Sequence, residues 1–135
     1  MRGIAGVVQS DDGRGKNMLI AISARGGTMD AAMDPRLGRA EKFILIESDS
    51  EKTSILEIAA TQATHGAGIQ TAQALLKAGA KAVISGDCGP KAFQVFQAAG
   101  VPVYAATGGT VRDVFAAWRR NELPVIGQPG AAKHA

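Results

Sequence analysis

The chain has 135 residues, of which 46% are hydrophobic, 20% charged and 4% aromatic, and its formal net charge is +3. That length fits one domain, and a core so poor in aromatics must rest on Ala, Val, Ile and Leu. The small net charge, a longest basic run of only Arg119-Arg120 and the lack of basic patches with interleaved aromatics argue against a nucleic-acid partner. No segment approaches the roughly 20 apolar residues of a membrane span, so no membrane partner is expected. The single cysteine, Cys88, excludes an intrachain disulfide and fits a reducing, cytoplasmic compartment.

Residues 1–16, MRGIAGVVQSDDGRGK, mix glycine with charge and show no period, so they read as a flexible leader, without the apolar run of a secretory signal. Residues 17–126 read as one α/β domain. MLIAISA (18–24) is a buried first strand, followed by a polar loop, RGGTMDAAMDPRLGRA (25–40). KFILIESD (42–49) is a second strand, SDSEK makes a turn, and TSILEIA (53–59) alternates and pairs with the second strand as a hairpin. GIQTAQALLKAGA carries Ile69, Ala72, Leu75 and Leu76 at helical spacing and stops at Gly79. KAVISG (81–86) is a fourth strand. GPKAFQVFQAAG (89–100) is a second helix, with Pro90 in its first turn and Gly100 at its end. VPVYAAT (101–107) is a fifth strand. TVRDVFAAWRRN (110–121) is a third helix, with Thr110 as N-cap and Asp113 completing a capping-box pair. GQPGAAKHA (127–135) reads as a flexible tail. The order β-β-β-α-β-α-β-α predicts a mixed five-stranded sheet, antiparallel at the hairpin and parallel where helices intervene.

Four loops concentrate glycine: ARGGT (24–28), THGAG (64–68), GDCGP (86–90) and ATGGT (106–110). Three of them lead into helices, and in an α/β sheet such loops gather at the carboxyl edge of the strands. Each helix start offers unpaired N–H groups and about half a positive charge, so the rim is a candidate anion site. The other reading is that these glycines only make tight turns and caps. Arg25, Arg36 and Arg39 lie on the loop 25–40, and their planar forks suit oxyanions, sulfido groups and phosphates. Asp30, Asp34 and Glu41 lie nearby, so local ion pairing is the alternative for these arginines. Cys88 and His65 are the candidate metal ligands, each in a Gly-rich loop beside a helix start, where a thiol pKa is expected to fall. One Cys and one His do not close a tetrahedral Cys/His site, and a lone buried cysteine is commonly a small hydrophobe. Met29 and Met33 are thioether candidates or loop hydrophobes. There is no Walker A motif, no GxSxG and no CxxC. Asp87, at the end of the fourth strand, has no companion acid on the first strand or first helix to build a two-metal cage. The chain is therefore read as non-catalytic.

Three stretches, DPRLGRAEKFILIE, ATHGAG and KAVISGDCGPKAFQVFQAAGVPVYAATGGTVRDVFAAW, together resemble the dinitrogenase iron–molybdenum cofactor biosynthesis family over about residues 18–123. The resemblance implies a ribonuclease-H-like α/β fold and non-catalytic binding or carriage of an anionic metal–sulfur cluster in a Gly-rich, Arg-lined crevice. The cluster implied is molybdenum–copper sulfide, as in the orange-protein type, or else the iron–molybdenum cofactor or a precursor. The family's arginine-bearing loop falls on Asp34, Pro35, Arg36, Gly38 and Arg39, with Leu37 where an aromatic is common. Its His-Gly-x-Gly turn falls on His65, Gly66 and Gly68, its Gly-Pro helix start on Gly89 and Pro90, and its Gly-Thr cap on Gly109 and Thr110. The cofactor-binding set is then Arg25, Gly26, Arg36, Arg39, His65, Gly66, Gly68, Asp87, Cys88, Gly89, Gly108, Gly109 and Thr110. A protein partner for cluster delivery is implied as well. A protein-interaction or regulatory module, or a phosphate-ester-binding protein, are the competing uses of the same scaffold.

Overall fold

The computed structural model of the chain describes residues 18–37, 40–58 and 67–126. The leader, the tail, Gly38, Arg39, His65 and Gly66 lie outside these described residues. Five strands and three helices follow in the expected order: β1 (Leu19–Ala24), β2 (Lys42–Glu47), β3 (Thr53–Glu57), α1 (Ala67–Lys77), β4 (Ala80–Ser85), α2 (Pro90–Ala99), β5 (Val103–Ala105) and α3 (Val111–Arg119).

The strands form one sheet in the order β3-β2-β1-β4-β5. β2 runs antiparallel to both β1 and β3, while β4 is parallel to β1 and to β5. The central row Ile55, Ile44, Ile22, Ile84 and Tyr104 crosses all five strands in register. This is the mixed five-stranded sheet that the element order predicts, in the ribonuclease-H-like arrangement that the family resemblance implies. β1 is buried along nearly its whole length because it is central and covered on both faces, which is why LIAISA is apolar at every position but Ser23 instead of alternating. β3 is an edge strand and is largely exposed.

Period-2 alternation divides the core into two clusters. On one face Ala21, Phe43, Leu45 and Val83 pack against Ala72 and Leu75 of α1 and Ala92, Phe93 and Phe96 of α2. On the other, Ile20, Ile22, Ile44, Ile46 and Ile84 pack against Val111, Val114, Phe115 and Trp118 of α3. The few aromatics are placed where they count: Trp118 stacks on Phe115 at 6.0 Å between ring centroids and meets Tyr104 edge-on at 6.3 Å. Gly100 ends α2 at φ 74, a left-handed conformation that suits glycine, and its N–H satisfies the last carbonyls of that helix. Residues 124–126 flank β5, with Ala105 N donating to Pro124 O and Ile126 N to Val103 O at 2.9 and 2.8 Å.

Candidate functional site at the carboxyl edge of the sheet

β1, β4 and β5 are parallel, so Ala24, Ser85 and Ala105 end along one edge. Lys42, at the start of antiparallel β2, pairs with Ala24 and joins the same edge. The loop after β1 folds back across it. Arg25 N donates to Ala32 O, and Asp34 N donates to Ser23 O, both at 2.9 Å. Arg36 then forms a parallel bridge with Asp87, and Leu37 N reaches Asp87 O at 3.3 Å. Segment 34–37 is thereby laid alongside the end of β4.

Gly86 makes this possible. A Cβ there would lie 2.8 Å from Pro35 Cβ and 2.9 Å from both its Cα and its carbonyl oxygen. The close approach seats Pro35, Arg36, Gly86 and Asp87 on one wall of a cleft of about 620 Å³, with Ala106 and Thr107 after β5 and Glu122, Leu123 and Pro124 beyond α3 completing it. Arg36 also borders a smaller hollow of about 210 Å³, lined by Ala24, Arg25, Asp34, Arg36, Glu41 and Lys42. Among the described residues three cations and two carboxylates line it. One of those carboxylates, Asp34, is buried and accepts from Arg36 N at 3.0 Å and from Arg36 Nε at 3.4 Å. The guanidinium itself stays more than half exposed. Arg25 has no ion pair among the described residues.

The structure thus brings Arg25, Arg36, Asp87 and the Gly86–Gly89 turn to one rim. Lys42, which reads in the sequence only as the first residue of a strand, joins them. Ser23 and Ser85, buried polar supports of that rim, lack any signal beyond being polar residues near strand ends, whereas Asp34 reads in the sequence as a local ion-pair partner and takes that role with Arg36.

Three expectations need correction. The start of α3 does not offer free donors to a ligand. Val111 N and Arg112 N donate to Ala31 O and Met29 O at 2.9 Å, and Asp113 N to Thr110 Oγ1 at 3.1 Å; Thr110 N is taken by Asp113 Oδ2 at 3.2 Å. The capping box forms as the sequence indicates, and together with the loop carbonyls it consumes the N-terminal donors. Gly109, at φ 98, serves that turn, and its carbonyl accepts from Met33 N. Cys88 does not present a low-pKa thiol either. Its side chain is 1% exposed within the α1/α2 core, and burial, aided by the adjacent Asp87 carboxylate, pushes the thiol up to about 11. Being next to a helix start does not outweigh loss of solvent. Gly68 lies inside α1 facing α2, where a Cβ would sit 3.4 Å from Ala92 Cβ, so the structure gives it a helix-packing role.

Gly89 keeps its expected place as N-cap of α2, without a side-chain cap and with open space where a Cβ would be. Gly26 lies in the loop after β1, with a Cβ position 3.1 Å from Ala31. Met33 is a core residue and Met29 packs against the same cluster. Among the described residues no three His, Cys, Asp or Glu side chains converge as a metal cage, and no helix is long and apolar enough to cross a membrane.

The sequence profile of the family described as dinitrogenase iron-molybdenum cofactor matches residues 18–121. The fold superposes on the apo form of the orange protein from Desulfovibrio gigas with a TM-score of 0.81 and 35% identity, covering 85% of this chain and 98% of that one. A Thermotoga protein named for NifB, solved by NMR, superposes with a TM-score of 0.72 and 30% identity over 80% of this chain and 92% of its own. An uncharacterized protein of Methanocaldococcus jannaschii is 35% identical over 77 residues, 55% of this chain. That match spans 65% of the Methanocaldococcus protein, just under two thirds of its length.

Proposed function

We propose that this chain, which belongs to the dinitrogenase iron-molybdenum cofactor family, is a non-catalytic carrier that holds an anionic metal–sulfur cluster as cargo at the carboxyl edge of its sheet. The observation that carries this reading is the convergence of Arg25, Arg36 and Lys42 on one hollow, with Arg36 shared by the larger cleft. The donor set fits an anion held by charge and hydrogen bonds. Arginine and lysine donate but do not ligate metals, and the one thiol nearby is buried and held protonated at neutral pH. A sulfido cluster whose terminal sulfurs carry the negative charge meets that set on its outside, with its metals bonded to their own sulfides. A molybdenum–copper sulfide cluster, as in the orange-protein type, suits a protein with few soft ligands; the iron–molybdenum cofactor or a precursor is the other cargo of this class. Arg39 and His65 belong to the same proposal through the family pattern. A partner protein then delivers or receives the cluster.

The larger cleft is mostly apolar and carries Asp87 and Glu122, so by charge alone it is the poorer seat for an anion. The arginine side is therefore the contact face, with the cleft accommodating bulk that extends past Arg36.

Titration of apo protein with a tetrathiomolybdate and copper(I) mixture tests this reading, at low and high salt, for wild type and for Arg25→Ala, Arg36→Ala, Arg39→Ala and Lys42→Ala. A charge-assisted hydrogen bond contributes roughly 1.5–3 kcal/mol, so loss of a contacting arginine weakens binding about tenfold or more. Binding also falls as salt rises, because exposed charges are screened within about 10 Å at 0.1 M. Wild-type affinity in all four variants together with no salt dependence overturns the proposal.

A further inference from the structure

Among the described residues Arg36 is the one cation that borders both hollows, and a side chain this long and this exposed would ordinarily sample many rotamers. Its surroundings restrain it. Asp34 accepts from both the backbone N–H and Nε of Arg36. Asp34 is itself tied to the sheet twice through Ser23 of β1: its N–H donates to Ser23 O at 2.9 Å, and its carbonyl accepts from Ser23 Oγ at 2.5 Å. Ser23 Oγ also lies 2.9 Å from Ser85 Oγ at the end of β4. A hydroxyl has one proton. A carbonyl can only accept, so the Ser23 proton goes to Asp34 O and Ser85 supplies the proton between the two serines. Ser23 and Ser85 are both fully buried and Asp34 nearly so. A buried polar chain of this kind is costly to leave half satisfied, so it fixes its members in one arrangement.

We propose that Ser85, Ser23 and Asp34 form a positioning chain that holds the Arg36 guanidinium over the rim before cargo arrives, and that binding depends on this preorganisation as well as on charge. The sign of one substitution separates the two contributions. Asp34 places a negative charge 3.4 Å from Arg36 Nε. If charge alone mattered, Asp34→Asn would make the rim more positive and tighten binding of an anion. A positioning role predicts weaker binding, because the ionic restraint on Arg36 is lost.

The binding measurement rests on the carrier reading above, so a first measurement is made without cargo. In ¹⁵N-labelled apo protein, the Arg36 Nε–Hε group gives an ordered, resolved NMR signal in wild type. It collapses to the averaged position of free arginine in Ser23→Ala, Ser85→Ala and Asp34→Ala, while the Arg112 signal stays where it was. Two serine variants are included so that poor folding of one does not decide the matter. An Arg36 signal already averaged in wild type, or still ordered in folded Ser23→Ala and Asp34→Ala, overturns the proposal.

The second measurement is titration with the tetrathiomolybdate and copper(I) mixture. Asp34→Asn and Ser23→Ala weaken binding by up to the roughly tenfold expected for Arg36→Ala, and Ser23→Ala has no further effect once Arg36 is alanine, since it acts through that side chain. Tighter or unchanged binding by Asp34→Asn, or an equal loss from Ser23→Ala in both backgrounds, overturns the dependence of binding on positioning. If the NMR result holds and Arg36→Ala binds like wild type while Arg25→Ala or Lys42→Ala weakens binding, the dependence of binding on positioning is overturned and the carrier reading stands.

Discussion

Substituting Gly86 by alanine tests how the rim is built. The added Cβ would meet three atoms of Pro35 at 2.8–2.9 Å, two of them backbone. Carbon atoms rest at about 3.5–4.0 Å, so segment 34–37 must retreat by roughly 0.7 Å. Gly86 is not among the residues with positive φ, so the effect is steric and not one of backbone conformation. Overfilling a packed contact costs about 1–3 kcal/mol. The retreat also stretches the 3.3 Å bond from Leu37 N to Asp87 O beyond useful length, adding roughly 0.5–1.5 kcal/mol. The expected loss is about 2–4 kcal/mol, a large share of the ~5–15 kcal/mol that stabilises a domain. Urea unfolding followed by circular dichroism reads it as a lower midpoint at unchanged slope. Gly68→Ala is the contrasting variant: its Cβ would meet Ala92 of α2 at an ordinary 3.4 Å, and at the second position of α1 stability should rise by up to about 0.5 kcal/mol, the lower end of the mid-helix range. A Gly86→Ala protein within about 0.5 kcal/mol of wild type would show that the loop yields freely and that the close approach does not hold the rim.

The remaining predictions concern folding, the thiol and the α3 cap. The apo protein is expected to show a full α/β circular dichroism spectrum and cooperative unfolding without metal, since both core clusters close on side chains alone; an unfolded metal-free protein would contradict this. Cys88 should resist alkylation at pH 8 until denaturant opens the core. Because its pKa rises from 9.0 to about 11 on folding, its contribution to stability is complete below pH 9 and is lost as pH climbs from about 9 to 11; a Cys88→Ser protein should lack that component of the alkaline transition. The same variant is expected to keep measurable binding of the tetrathiomolybdate and copper(I) mixture, and total loss in a folded protein would make the thiolate a required ligand. Thr110→Ala removes the hydroxyl that accepts from Asp113 N and should cost about 0.5–2 kcal/mol in thermal or urea unfolding.

The donors at the start of α3 illustrate how a rim reads differently in one and in three dimensions. Its glycines and its N-cap are local features, and local chemistry identifies them as a helix start. Whether that start faces a ligand depends on where Met29 and Ala31, some 80 residues earlier in the chain, place their carbonyls. Those carbonyls close the site, and the anion-binding reading moves to the side of Arg25, Arg36 and Lys42.

Periodicity by itself determined the element order and the mixed sheet, because alternation along strands and 3–4 spacing along helices are local consequences of which faces must be buried. LIAISA reads as a buried strand, and the Thr110–Asp113 pair as a helix cap. The family pattern in DPRLGR, GDCGP and GGT was legible for the same reason: short motifs report local backbone needs. Tertiary structure decided the rest. Gly86 matters because Pro35 crosses it, Lys42 joins the rim because an antiparallel strand starts where parallel ones end, and the Cys88 thiol is buried because the α1/α2 face covers it. Ser23, Asp34 and Ser85 become one chain only when β1 and β4 lie side by side, and hydrogen bonds across 11 and 62 residues of sequence leave no periodic trace in either segment. Burial and partner identity are properties of what packs from elsewhere in the chain, and the charge state of a thiol or the reach of an arginine follows from them.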